Sequence, residues 1–420
     1  MSHLLLITTL DVEGRRNNRE HHVIRHFKSR YDHVTVVYRK RGQVGQGLLA
    51  LLRTTTECHS SEGINYVAVS PPLNPPEGVV RNMTGAGSGR FGLLRRPLAA
   101  IIDRIGILRD YLTIRALARA ATTGLKTGPP ADVSACEAFG PWAAAAAARL
   151  RSAGKIKHYV YVDRDYEPGF MTSRSRRNWA MRAENRAAAQ ADLTLSIGHR
   201  LAARFSDVTQ AKVRISPTGV DLERFNQTPR TAPRPDLVFV GQVADWSGIE
   251  EALEALVLLR DDLPKRHLTI LGPSDDGYRG HIMAMIRRLN LQDVVDWRGD
   301  CPRDQVAAAL SQAAIGLASF RAQPLRIHAA PLKVLEYMAS GLPVIAVAGS
   351  EAGDLITRHA CGLQCATEAG KIAASVRQMI ADPAAYRAMS VQAIKAAQTY
   401  DWGGILEQEH QWLTELEARP

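Results

Sequence analysis

Cysteine is scarce in this chain: five residues in 420, at Cys58, Cys136, Cys301, Cys361 and Cys365. An odd, scattered set builds no disulfide framework, and Cys361-x-x-x-Cys365 has no second pair at zinc-site spacing. That excludes a small stapled domain and predicts reduced thiols, no metal site and a cytoplasmic location. Long apolar runs are missing as well. No uncharged apolar stretch reaches the roughly 18 residues that a spanning helix needs. Leu4 to Leu10 is apolar, but Met1-Ser2-His3 offers no basic leader region and Asp11 follows at once. It reads as a first strand, not a signal peptide. Aromatic residues make up only 6% of the chain. They form no RNP-like pattern, and no zinc-finger spacing occurs, so the usual nucleic-acid modules are absent. Nor does a G-x-G-x-x-G follow the first strand, so no motif supports dinucleotide binding.

What is present is enough apolar residue, 45%, for real cores. The length suits two domains of about 200 residues each. The formal charge is +11. The excess lies in the first half: residues 1–215 are strongly basic and the remainder is mildly acidic. A basic half favours an anionic partner, which leaves membrane lipid, a phosphate-bearing acceptor and nucleic acid open. Arginines on solvated faces are the plainer reading of the same composition.

Strand signals recur along the first half at Leu4 to Ile7, His33 to Tyr38, Ile64 to Val69, Ala131 to Glu137 and Lys157 to Val162. The loop after the first strand carries Gly14 and Arg19. A strand, a glycine-bearing loop and a helix place backbone N–H groups toward an anion. Residues 39–60 are basic and show no clear period. Residues 78–100 combine Gly85, Gly87, Gly89 and Gly92 with arginines and read as a long loop. Residues 97–125 read as a helix with an apolar face (Ile101, Ile105, Leu108, Leu112) and several arginines. Such a helix either packs its stripe on a sheet or lies on an anionic membrane surface.

Beyond Val162 comes Asp163-Arg164-Asp165-Tyr166-Glu167. Carboxylates just past the carboxyl end of a parallel strand stand where ligands bind. Asp163 or Asp165 is therefore a candidate to orient or deprotonate a substrate hydroxyl. A helix cap, or a salt bridge to Arg164 or Arg174, is the structural alternative. Thr228 to Pro235 carries three prolines and reads as a linker between domains. The expected boundaries are 1–227 for the first domain, 228–235 for the linker and 236–400 for the second domain. Residues 401–420 form a last helix.

The most informative stretch is Pro331-Leu-Lys-Val-Leu-Glu-Tyr-Met-Ala-Ser-Gly-Leu-Pro-Val-Ile-Ala-Val347. It predicts a helix stopped at Gly341, where Pro343 cannot continue it. Val344 to Val347 then suits a strand buried on both faces, as in a parallel sheet. Lys333 and Glu336 are three apart and share a helix face. A lysine there can meet a phosphate, and a carboxylate beside it can accept from ribose hydroxyls. An ordinary surface ion pair is the bland alternative.

This segment resembles the nucleotide-sugar-binding segment of family 4 retaining glycosyltransferases and related exopolysaccharide and natural-product glycosyltransferases. Ser216-Pro-Thr-Gly-Val-Asp221-x-x-x-Phe225 is similar to another element of that superfamily, with Thr218 in place of an asparagine. The resemblance is strong over 213–402 and architectural over 1–200. It implies an α/β GT-B architecture: two Rossmann-like domains facing each other across a cleft, with the last helix crossing back to the first. It implies that Lys333 approaches the donor diphosphate and takes part in catalysis, and that Glu336 binds the donor ribose. Gly241, Gln242, Arg321, Trp297 and Gly14 then line the donor site, with Arg326 beside Arg321 as a further source of charge. His328 stands where many members carry a second glutamate. Asp163 and Asp165 face the acceptor. The implied reaction moves a sugar from a UDP- or GDP-linked donor to an acceptor hydroxyl, with retention, and needs no metal or other cofactor. The implied partners are that nucleotide sugar and a lipid-linked saccharide or small metabolite as acceptor, with no nucleic acid. Peripheral contact with the inner face of an anionic membrane stays open. The competing readings are a nucleotide-sugar epimerase on the same fold and a basic, non-catalytic scaffold or nucleic-acid-binding protein.

Overall fold

The computed structural model describes residues 2–13, 18–40, 53–73, 95–127, 133–208, 212–225, 227–330 and 332–418. The expected loop residue Gly14 and residues 78–94 of the expected loop 78–100 lie outside them, while residues 95–100 belong instead to the helix Arg95–Thr127. The chain forms two compact units: Met1–Ser216 with Leu406–Pro420, and Pro217–Ile405. The division falls at Ser216 and Pro217, not in the proline-rich 228–235 run. That run is laid onto the second unit by Arg230. Its backbone N–H donates to Ser390 Oγ at 2.7 Å, and its guanidinium donates to the Leu310, Ser311 and Ser340 carbonyls at 2.6–3.1 Å.

The first unit is built on an eight-stranded sheet. Its strands are β1 (His3–Thr8), β2 (His33–Arg39), β3 (Thr55–Ser61), β4 (Ile64–Ser70), β5 (Ala135–Phe139), β6 (Val160–Asp163), β7 (Leu193–Ser196) and β8 (Val213–Ile215). They lie in the order β3-β4-β2-β1-β5-β6-β7-β8. All neighbours pair parallel except β3 and β4. Strands β1, β5, β6 and β7 are buried at every position and mostly apolar, as a sheet covered on both faces requires. By contrast β3 is exposed along its whole length. It has no buried face, hence no alternation for the sequence to show. A tight turn attaches it: Glu62 and Gly63 both take positive φ, 52° and 80°, as a two-residue hairpin of primed type demands.

Helices Arg95–Thr127, Pro141–Ser152 and Arg174–Gln190 pack on this sheet and share its core through Ile114, Leu117, Trp142, Ala147 and Ala187. The terminal helix Trp402–Glu417 seats its Leu406 to Glu417 part on the first unit, with Leu413 and Leu416 buried. Beneath it, Arg19 donates to Ser216 Oγ at 2.6 Å and pairs with Glu409. Glu137, at the middle of β5, is fully buried and neither carboxylate oxygen has a hydrogen-bond partner among the described residues.

The second unit holds β9 (Asp236–Val240), β10 (His267–Leu271), β11 (Val295–Gly299), β12 (Ile315–Ala318), β13 (Val344–Val347) and β14 (Gly362–Cys365). Their order is β11-β10-β9-β12-β13-β14, parallel throughout. This is the doubly wound arrangement, and its order reverses between β9 and β12. The ligand crevice of such a sheet lies outside the carboxyl ends at that point. Residues 332–347 fold as the sequence predicts, with helix Leu332–Ala339 followed by β13. Gly341 takes φ 68°, and a Cβ there would lie 2.9 Å from the Thr228 carbonyl. Both the turn and the packing therefore need a glycine.

Burial pushes the Glu137 carboxyl well above the usual carboxylate range, and Glu409 adds to the shift while Arg19 opposes it. A carboxyl whose pKa rises on folding holds its proton more tightly in the folded state. Stability contributed by that proton is complete below the unfolded pKa of about 4.3 and is lost as pH rises toward the folded value. Glu137→Gln keeps the neutral shape. Urea unfolding from pH 4.5 upward should show wild-type stability declining relative to Glu137→Gln. Parallel curves would show that Glu137 is not the titrating group.

Candidate active site

Three glycines end the first three strands of the second sheet in spatial order. Gly241, Gly272 and Gly299 follow or close β9, β10 and β11 with φ of 128°, 151° and 73°. Gly272 lies so near the Gly241 carbonyl that any Cβ would collide with it. The Trp297 indole donates to the Gly272 carbonyl at 3.1 Å and carries the Arg279 guanidinium over its ring at 4.9 Å. The carboxyl edge of this sheet is thus lined by bare backbone, with an aromatic ring at one end.

Across the reversal point, β9 and β12 pair only at their starts, Ile315 with Leu237 and Gly316 with Val238. Beyond that they diverge, and the gap is filled by Tyr337. Its hydroxyl accepts from Val240 N at 2.8 Å and donates to the Leu317 carbonyl at 3.3 Å. The ring passes over Gly316, where a Cβ would sit 2.5 Å from it. Tyr337 therefore pins helix Leu332–Ala339 to both strands.

One turn earlier on that helix, Lys333 Nζ lies 3.8 Å from the Phe239 ring centroid. A Cβ at Gly241 would be 3.1 Å from the same nitrogen. Burial pulls the Lys333 ammonium down to about 7, and the nearby Arg326 charge adds to this while Glu336 opposes it. The amine is thus held near the balance of its charged and neutral forms at neutral pH. Glu336 is buried and pairs with Arg303, from the start of helix Arg303–Gln312. Burial raises the Glu336 carboxyl, and Arg303 counters that by favouring its charged form. Lys333 and Glu336 are therefore not a simple surface pair: each has its own setting.

The structure distributes the other expected residues unevenly. Arg326 stacks on the Trp246 ring at 3.4 Å and acts electrostatically on Lys333. Arg321 instead donates to Glu251 at 2.8 Å and to Glu250 at 2.7 Å, at the start of helix Ile249–Leu258. Two carboxylates already balance its charge, so the cation brought to Lys333 is Arg326. His328 closes the short helix Pro324–His328 and donates from Nδ1 to the Pro324 carbonyl at 2.7 Å. Gln242 is exposed beside Gly241. Arg303 could not be singled out from sequence, because it lies 33 residues before its partner with no motif linking them.

In the first unit, Asp163 corrects the expectation of an available base. It is fully buried. It accepts from Arg204 at 3.0 and 3.1 Å, from Ser196 Oγ at 3.0 Å and from the Tyr161 hydroxyl at 3.2 Å. Arg204 also pairs with the buried Glu184, whose carboxyl burial raises to about 8. Asp163 is the anion of a structural network, closed to a substrate hydroxyl. Asp165 is half-buried two residues on. Arg164 between them turns to the edge of β1, pairing with Glu20 and donating to Thr9 Oγ1 at 3.3 Å. Among the described residues no group of three or more His, Cys, Asp or Glu is arranged to hold a metal ion.

Removing one partner of a buried ion pair leaves the other uncompensated, at a cost of about 3–5 kcal/mol. Asp163→Asn should therefore lower unfolding free energy by an amount of that order, and Arg204→Met by a similar amount. Denaturant titration of the two variants checks this. Wild-type stability in Asp163→Asn would return the residue to the list of available bases.

Residues 221–396 match the family described as "Glycosyl transferases group 1". The putative colanic acid biosynthesis glycosyltransferase WcaL of Escherichia coli (strain K12) is 27% identical over 229 residues, 53% of this chain and 55% of that protein. The chain spans about half the length of the curated relatives it matches. Among solved structures, sucrose-phosphate synthase from Thermosynechococcus elongatus is similar over 100% of both chains, with TM-score 0.70 and 17% identity. Anabaena Alr3699/HepE, solved in complex with UDP, has TM-score 0.65 and 16% identity over 98% of this chain and 99% of that one. The second unit therefore carries a segment that matches the group 1 glycosyl transferases, and the two Rossmann-like units share the GT-B fold of the sucrose-phosphate synthase structure.

Proposed function

We propose that this chain transfers a sugar from a nucleotide-diphosphate sugar to an acceptor hydroxyl. The observation that carries the reading is Lys333 Nζ held beside Gly241 at the reversal point of the second sheet. A diphosphate leaving group gains negative charge as the glycosidic bond breaks. A preorganised cation in a partly dry site stabilises that charge more than water does. Lys333 supplies it with Arg326, and Gly241 lets the phosphate approach the backbone. Glu336, oriented by Arg303, accepts from the ribose hydroxyls. Trp297 borders the base. UDP in the Anabaena structure supports a uridine-linked donor. The name of the Escherichia coli relative supports a saccharide acceptor in polysaccharide biosynthesis. The enclosure of Asp163 removes one candidate base for inversion, which supports transfer with retention.

Lys333→Ala should lower the transfer rate by about 10²–10³, the scale of losing one preorganised electrostatic contact. Glu336→Ala should mainly raise the donor KM, as loss of uniform binding does. Product detection by mass over a panel of nucleotide sugars and acceptors is the assay. Both variants at the wild-type rate would sink this site. Sugar-nucleotide conversion without an acceptor would point to an epimerase, and anomeric analysis of the product decides retention.

Donor binding should also take up a proton. Free Lys333, with its pKa near 7, is mostly neutral at pH 8, and a bound diphosphate favours its charged form. UDP affinity should thus fall as pH rises from 7 toward 9, and calorimetry in buffers of different ionisation enthalpy should register the uptake. Lys333→Met should abolish it. A pH-independent affinity with no uptake contradicts the assignment.

A further inference from the structure

The first unit carries a second feature, on the helices that cover its sheet. Helix Arg95–Thr127 buries Ile114, Leu117, Ala120 and Ala121 against the core. Its other side exposes Ile105 and Leu108, each 49% accessible, and Tyr111 at 41%. These three are spaced by three residues and so lie along one side of the helix. Arg104 and Arg115 flank them. The guanidiniums of Arg115 and Arg149 sit over the Tyr111 ring at 5.8 and 5.1 Å.

Arg149 continues a row on helix Pro141–Ser152. Four and seven residues before it on that helix, Ala145 and Trp142 line a slot of about 160 Å³. The slot is walled by Trp142 and Trp179, stacked at 6.1 Å, and by Ile114, Pro141 and Ala183, with Arg182 and Arg186 among its polar lining. Helix Arg174–Gln190 is held beside the long helix by Arg176 to Asp110 at 2.9 Å and Ser175 to Asp103 at 2.8 Å. The Trp179 Nε1–H is buried and has no acceptor among the described residues. Arg104, Arg182 and Arg186 form no ion pair among the described residues, unlike Arg176, Arg151 and Arg204. Exposed aliphatic side chains beside unpaired cations, next to an apolar slot, match one environment best. That environment is the boundary between anionic headgroups and acyl chains. The slot is far below the roughly 300–1,000 Å³ of a typical small-molecule site. It is comparable to the 150 Å³ apolar cavity that takes a benzene-sized group, so it suits a length of hydrocarbon chain rather than a whole ligand.

We propose that this face docks on an anionic lipid bilayer. Ile105, Leu108 and Tyr111 enter the headgroup boundary, the arginines meet lipid phosphates, and the Trp142/Trp179 slot receives an apolar chain. Among the described residues no helix is long and apolar enough to cross a membrane, so this is surface contact, not insertion. The inference stands apart from sugar transfer: a chain inactive toward every donor would still dock.

Sedimentation with vesicles of phosphatidylcholine alone, or mixed with phosphatidylglycerol, tests it at physiological ionic strength, where the Debye length is about 8 Å. The chain should pellet with the mixed vesicles and much less with the neutral ones. One basic residue at an anionic surface raises partitioning roughly fivefold. Arg182→Glu with Arg186→Glu should then weaken binding by at least about 25-fold, and Ile105→Asp with Leu108→Asp should abolish it. Equal urea midpoints confirm that both variants fold. Brominated acyl chains should quench tryptophan fluorescence in the wild type and far less in Trp142→Phe/Trp179→Phe. Equal pelleting with both vesicle types, or wild-type binding by the variants, would overturn the proposal. Displacement by inorganic phosphate would instead mark a phosphate site. A lipid-free dimer broken by Leu108→Asp, without vesicle binding, would mark a self-interface.

Discussion

The second unit depends on how Tyr337 closes the gap between β9 and β12. Parallel strands that part at a reversal point leave a backbone donor on one and an acceptor on the other. Buried and unmade, each would cost about 1–3 kcal/mol. The Tyr337 hydroxyl satisfies both Val240 N and the Leu317 carbonyl. Because the ring needs room, Gly316 carries no side chain. Because the ring is on helix Leu332–Ala339, that helix has one permitted height and rotation. Lys333, one turn before, is consequently delivered to Gly241, and Glu336 to Arg303. The chemistry of the edge follows from the packing of a phenol.

The two units treat charge in opposite ways. In the second, a lysine is kept half-buried beside an arginine, so burial and like charge both weaken its hold on a proton. Such a site is unfavourable when empty and gains on meeting an anion. In the first, the buried charges largely satisfy one another. Asp163, Arg204 and Glu184 form one closed set, while Glu20 and Arg164 form another. Glu137 is the exception, a carboxyl under the terminal helix with no hydrogen-bond partner among the described residues. Part of the net positive charge of this half is carried outward, by Arg104, Arg182 and Arg186, which form no ion pair among the described residues.

This contrast explains why Asp163 and Asp165 look alike in sequence and differ in structure. Both follow a strand, and both are within reach of arginine in the chain. Burial separates them: Asp163 is the last residue of β6 and points into the unit, where Arg204 comes from 41 residues away. Asp165 is two residues beyond the strand and half-buried. A difference of two positions at a strand end decides between a structural anion and an accessible one.

Much of the fold was legible because local pattern and tertiary role agree. Continuous β-branched and aliphatic runs marked the inner strands, Gly341 and Pro343 marked the end of the key helix, and the spacing of three put Lys333 and Glu336 on one face of it. The exposed strand β3 was not legible, since a strand with no buried face has no alternation. Neither was the division at Ser216, because Thr228 to Pro235 has the composition of a linker yet is bound by Arg230 to one unit. By itself, then, the sequence determined the two parallel-sheet units and the helix that carries Lys333 and Glu336, both of which rest on residues close together in the chain. Only tertiary structure decided which charges remain available. It paired Arg321 with Glu250 and Glu251, brought Arg326 to Lys333, gave Glu336 to Arg303 and enclosed Asp163. Ionic partners are chosen by distance in space, and no periodicity in the chain records that distance.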